Sequence, residues 1–141
     1  MYERCTRCGL SEFREENGYH IVWGSGNLGS NILVMGEAPG ENEAKVGLPF
    51  IGKSGRFLRR RLDPYIDLNK DAYIINTVLC RPPGNRQPAA EEVKACTPHI
   101  LTVILTMRPK LIITAGKSSS QWLTDITGIP YEIYAVQAAE I

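Results

Sequence analysis

A chain of 141 residues supplies one compact domain with a real core and too little material for two. Hydrophobic residues make up 43% and charged residues 22%, an ordinary globular balance, and a net charge of +1 excludes a strong overall field toward nucleic acid. The polar start is unlike a signal peptide, and the longest apolar stretch, His99 to Met107, is too short for a bilayer, so a cytoplasmic protein without membrane contact is expected.

In chain order, the first feature is the pair Cys5-Thr-Arg-Cys8. Gly24-Ser-Gly-Asn-Leu-Gly29 then fits GxGxxG, but a dinucleotide site needs a strand before it and a helix after it. Here a strand follows, which favours a glycine-rich turn. Asn31 to Gly36 is a short continuous apolar run and reads as a buried strand. Glu37 to Lys53 reads as a long loop. Within it, Gly47-Leu-Pro-Phe-Ile-Gly-Lys-Ser54 fits the phosphate-loop pattern. A phosphate loop leaves a strand directly and uses its backbone N–H groups. Pro49 removes one of these, Phe50 adds a large ring, and no apolar strand ends in an Asp to help hold magnesium. Nucleotide hydrolysis is therefore a minor alternative.

Ser54 to Leu62 reads as a helix, with Phe57, Leu58 and Leu62 as its inner face. Its Arg56, Arg59, Arg60 and Arg61 read first as a solvated basic face and second as a DNA contact. Tyr73 to Leu79 reads as a second buried strand, followed by the Pro-rich loop Cys80 to Pro88. Thr97-Pro98 is expected to start a helix carrying Ile100, Leu101, Ile104 and Leu105 on one side, with Pro109 ending it. Lys110 to Ala115 forms a third strand and Ser118 to Leu123 opens a third helix. Tyr131 to Val136 alternates and could add a strand. The order predicts an α/β fold, a three-layer α/β/α sandwich around a mainly parallel sheet. Ligands in such sheets bind at the carboxyl ends of the strands, where both long loops begin.

In a reducing compartment four cysteines suggest metal ligands or buried thiols. One CxxC pair is also compatible with a redox site. Cys80 and Cys96 are expected at element boundaries, where irregular backbone can aim a thiolate. That favours one tetrathiolate site, and spacing leaves zinc and [4Fe–4S] both open.

Read together, the motifs form an ordered series: Cys5-xx-Cys8, Gly24-x-Gly26, Gly36-Glu-Ala-Pro-Gly40, Gly47-x-Pro-Phe-Ile-Gly-Lys-Ser-Gly55, Asn76-xxx-Cys80-Arg-Pro-Pro-Gly-Asn-Arg86 and Cys96-x-Pro98. The series resembles the family 4 uracil-DNA glycosylases, the iron–sulfur branch of the uracil-DNA glycosylase superfamily, from about Cys5 to Leu123. The resemblance implies one glycosylase-like domain over 1–141 that excises uracil from DNA by hydrolysis of the N-glycosidic bond. It implies that Glu37 is catalytic, near the attacking water and the sugar. Ala38 and Gly40 would line the substrate loop, Phe50 would stack on uracil, and Asn76 would bond the base edge. Cys5, Cys8, Cys80 and Cys96 would hold a [4Fe–4S] cluster, and Arg81, Asn85 and Arg86 would contact DNA. These roles suit the chemistry. A flipped base is recognised by stacking and edge hydrogen bonds, and an amide supplies both the donor and the acceptor that uracil needs. Each has a plainer alternative: a capping acid at Glu37, a core ring at Phe50, a strand-end cap at Asn76.

The chain departs from the family pattern twice. Ala44 follows Glu43 where a Glu-Asp pair is usual, and nothing after Leu123 matches the family's further strand and His-Pro loop. His20 and His99 are expected to be structural. The expectation is a C-terminally shortened domain, completed by a second chain or a further segment. The alternative is a catalytically impaired DNA-binding module in a nucleoid or viral replication setting.

Overall fold

The computed structural model describes residues 4–131. Its elements in chain order are α1 (Leu10–Asn17), β1 (Ser25–Gly26), β2 (Ile32–Gly36), α2 (Glu41–Val46), α3 (Lys53–Leu62), β3 (Ala72–Asn76), a 3-10 turn (Pro83–Asn85), α4 (Ala90–Met107), β4 (Leu111–Thr114) and α5 (Lys117–Thr127). The four strands form one sheet in the order β1-β3-β2-β4. Both partners of β2 run parallel to it, and only β1 is antiparallel. The register sets Gly36 opposite Asn76 and Met35 opposite Thr114, so the carboxyl ends of the three parallel strands lie side by side.

Successive strand side chains point to opposite faces. Leu33, Met35, Tyr73 and Ile75 join Cys96 and Ile100 of α4 and Trp122 of α5 in one core. Val34, Ala72 and Ile74 form the other, covered by Leu58 and Leu62 of α3. The expected three layers are therefore present, and each fully buried Leu or Ile contributes about 1.5–3 kcal/mol. Among the described residues no helix is long and apolar enough to cross a membrane.

Several expectations are corrected. The GxGxxG segment supplies β1, which pairs with β3 and adds a fourth strand from the N-terminal side. The long loop expected from Glu37 to Lys53 holds a helix, α2, and the phosphate-loop match, already disfavoured, therefore follows a helix where a strand would be required. Helix α4 begins at Ala90, well before Thr97, because Glu92 folds back to accept the Ala89 N–H at 2.8 Å. Pro98 lies inside the helix at the cost of one backbone hydrogen bond. Thr97 donates to the Val93 carbonyl at 2.8 Å and accepts from Trp122 Nε1 at 3.1 Å, so it is no cap. Cys96 consequently sits within a helix and not at an element boundary. Phe57 and Leu105 face outward, 54% and 73% exposed. The strand expected from Tyr131 lies past that residue outside the described region.

Candidate functional site

Three parallel strands end together, and the segments that follow them build the site. At the end of β2, Gly36 has no side chain. A methyl group there would come within 2.5 Å of Phe50 Cε1 and 2.6 Å of Asn76 Oδ1. The Phe50 ring and the Asn76 amide thus converge over bare backbone, a close approach that only glycine permits. Asn76 is 2% exposed, and its buried Oδ1 has no hydrogen-bond partner among the described residues. A buried acceptor without a partner carries a desolvation penalty of about 1–3 kcal/mol.

Phe50 has a left-handed backbone, φ +55°, which is strained for a bulky residue. Two contacts hold it there. Arg59 of α3 donates through Nε to the Phe50 carbonyl at 2.9 Å and through Nη2 to the Pro49 carbonyl at 3.3 Å. Gly55 lets the Phe50 backbone lie on the first turn of α3, where a methyl group would meet Phe50 Cα at 2.3 Å.

Glu37 follows β2 directly. Its backbone carbonyl accepts from Thr77 Oγ1 at 2.8 Å and Val78 N–H at 3.2 Å. Its carboxylate Oε2 accepts a short hydrogen bond from Ser118 Oγ, in the first turn of α5. Gln87 Nε2 lies 3.4 Å from the same hydroxyl. Ala38 packs on the core. The Gly40 N–H donates to Glu43 Oε1 at 2.9 Å, and Glu43 Oε2 is buried against Gly52. Glu43 therefore joins the Glu37 loop to the Phe50 loop. The sequence assigned no site role to Ser118, Gln87 or Glu43, and it read Arg59 as a solvated or DNA-facing cation where the structure turns it inward; only a hydroxyl just after β4 could have pointed to Ser118.

The residues expected on DNA are engaged with one another. Arg81 donates to Asn85 Oδ1 at 2.8 Å and to the Tyr19 hydroxyl at 2.9 Å. Arg86 makes a two-point ion pair with Glu92 at 2.8 Å and 2.8 Å. The Arg86 guanidinium, helped by the Ala89 N–H, holds the Glu92 carboxyl below the usual glutamate range. A carboxyl depressed by folding stabilises the fold. That contribution is complete above the unfolded value of about 4.3 and is lost as pH falls through the folded value. Glu92→Gln is therefore expected to be less stable than wild type at neutral pH, with the difference vanishing in acid. Urea denaturation at stepped pH checks this, and a difference that is constant with pH would refute it.

The four cysteines come from α4, from the turn after β3 and from the segment before α1. Cys5, Cys8 and Cys80 each act electrostatically on Cys96, and Cys5 and Cys8 act on Cys80 as well. Among the described residues no group of three or more His, Cys, Asp or Glu side chains is placed to hold a metal ion. Burial pushes Cys96 up to about 12 and raises Cys80 as well, so both free thiols hold their protons at neutral pH. Beside them lies Arg14, 4% exposed, whose Nη1 is 3.4 Å from Cys80 Sγ and whose Nη2 donates to the Cys5 carbonyl at 3.0 Å. Its one carboxylate partner, Glu15, is largely solvent-exposed. A buried guanidinium among thiols fits a donor set that becomes anionic on binding metal.

Neither histidine lies at the convergence of Phe50 and Asn76. The His20 ring lies against Gly47, and His99 meets Trp23 edge-on at 5.3 Å.

A family model described as the uracil DNA glycosylase superfamily matches residues 23–138. A type-4 uracil-DNA glycosylase of Saccharolobus solfataricus is 41% identical over 121 residues, covering 85% of this chain and 54% of that protein. One of Archaeoglobus fulgidus is 32% identical over 141 residues, covering 94% of this chain and 69% of that protein. A DNA polymerase of Bacillus phage SP01 is 30% identical over 107 residues, 75% of this chain and 12% of that protein. The chain spans about half to two thirds of the length of the type-4 proteins it matches.

Proposed function

Because the chain belongs to the uracil DNA glycosylase superfamily and, within it, to the type-4 uracil-DNA glycosylases, we propose that it excises uracil from DNA by hydrolysing the N-glycosidic bond. The observation that carries this reading is the buried, unpartnered Asn76 Oδ1 beside the Phe50 ring. Uracil presents an N3–H donor next to an O4 acceptor, and one side-chain amide satisfies both. Cytosine presents an acceptor and an amino group there, the reverse pattern. Phe50 would stack on the flipped base, a contact worth about 1–3 kcal/mol.

Bond cleavage leaves the electron pair of the C1′–N1 bond on uracil and positive charge on the sugar. The Glu37 carboxylate, oriented by Ser118, would stabilise that charge and position the water that adds at C1′. The Asn76 amide would stabilise the negative charge on the base.

Cys5, Cys8, Cys80 and Cys96 would hold a [4Fe–4S] cluster. What supports this reading is the chain's membership of the type-4 family, whose resemblance implies the cluster, together with four free cysteines. The group would be structural, bracing the turn after β3 against α4, since hydrolysis requires no electron transfer.

The similarity to part of a phage DNA polymerase supports a second reading, a DNA-binding module that does not cut. Incubation with uracil-containing single- and double-stranded oligonucleotides separates the two. Abasic product supports the glycosylase, whereas DNA binding with no abasic product at excess protein would leave the module.

A further inference from the structure

We propose that Lys53, Arg56 and Arg60 of α3 form a strip that binds the phosphodiester backbone of the strand whose base enters the pocket. This rests on the reading of the chain as acting on DNA. Helix α3 carries Lys53, Arg56, Arg59, Arg60 and Arg61 and no acid, in a chain whose net charge is only +1. Two of these cations are occupied. Arg59 turns inward to the carbonyls of Pro49 and Phe50, and Arg61 lies over the Phe57 ring at 5.1 Å. The remaining three are exposed, and none forms an ion pair among the described residues.

Positions 53, 56 and 60 are spaced three and four apart, which places them on one helix face. Together with Arg59 they line an open depression of about 460 Å³. Like charges at i and i+4 destabilise a helix, and α3 carries no acid to pair with Arg56 or Arg60. An external polyanion would offset that repulsion. The strip also begins at the site, because Arg59, between Arg56 and Arg60, fixes the loop that carries Phe50.

The chain's other candidate DNA cations are less available. Arg81 is committed to Asn85 and Tyr19, and Arg86 to Glu92. Either would have to break internal bonds to reach a phosphate. Lys53 to Arg60 spans about 10 Å at 1.5 Å per residue. Phosphates on one strand rise about 3.4 Å each, so the strip covers about three of them. Such contacts position the strand without reading sequence.

The test measures binding of the whole chain to a labelled duplex containing thymine in place of uracil, so that no base is released. Affinity is followed between about 50 and 200 mM salt. Removing one cation that neutralises a phosphate should lower the slope of log affinity against log salt by about 0.9. Arg56→Gln combined with Arg60→Gln should therefore lower it by nearly two and weaken low-salt binding roughly tenfold or more. Arg56→Lys with Arg60→Lys keeps the charge and should keep the slope. Lys94→Gln, the loss of one positive charge on α4 across the sheet, is the control and should leave it unaltered, where a charge lost from the strip would lower it by about 0.9. Thermal melts confirm that the exposed substitutions leave the fold intact. A full wild-type slope in the double glutamine variant overturns the strip, and uracil release by wild type would then leave the functional reading standing. A wild-type chain that neither binds DNA nor releases uracil overturns both.

Discussion

Asn76→Ala is expected to lower uracil release by roughly 10²–10³-fold, the usual loss when one aligned donor to a developing anion is removed. The loss should fall mainly on the rate at saturating DNA. On the proposed reading the amide would matter most when the bond electrons move onto the base, while phosphate contacts and Phe50 would still hold the substrate. Stability should respond in the opposite sense. Asn76 Oδ1 is buried without a partner, so its removal relieves a desolvation penalty, and Tm should stay constant or rise. A structural amide gives the reverse result, a lower Tm with the rate unchanged, and that outcome would refute the recognition role. Measuring single-turnover release and thermal unfolding on the same preparation decides between them.

The second large effect is expected at the cysteines. Cys96→Ala should abolish bound iron and acid-labile sulfide and lower Tm by about 10–20 °C. The reason lies in Arg14 as much as in the metal. Its guanidinium is 4% exposed, touches Cys80 and the Cys5 carbonyl, and among the described residues has only the solvent-exposed Glu15 as carboxylate partner. Without an anionic thiolate cluster, a buried charge stands largely uncompensated, a situation that costs about 3–5 kcal/mol. At roughly 3–4 °C per kcal/mol for a domain of this size, the Tm shift follows. Anaerobic purification with iron, zinc and sulfide analysis is the measurement. Full iron and sulfide in the variant, or tightly bound zinc in the wild type, would overturn the cluster.

The two central strands were legible because they are short, continuous and buried on both faces. Ile32–Gly36 and Ala72–Asn76 needed no partner information to be read as strands. Helix α4 was misjudged because Thr-Pro resembles a helix start, while the actual start depends on Glu92 folding back to Ala89. That cap is a tertiary device as well, since Arg86 holds the same carboxylate. The convergence of Phe50 and Asn76 was anticipated through the family resemblance alone. Local sequence shows neither that Gly36 clears the space nor that Arg59 fixes the loop. The Ser118 contact with Glu37 was hidden because it joins the ends of two strands far apart in the chain, and a serine opening a helix carries no signal of its own.

The left-handed backbone at Phe50 has a kinetic consequence. Strain of about 1–3 kcal/mol is already present in the free protein. The ring therefore stands in place before any DNA arrives, held by Arg59 and Gly55. A fixed wall of this kind works as a passive trap and not as a wedge that drives bases outward. On the proposed reading it would catch nucleotides that have left the stack by thermal opening, and its capture rate would follow how often each one opens. Uracil in a single strand or opposite guanine opens at lower cost than uracil paired with adenine, and it is the species such a trap meets first.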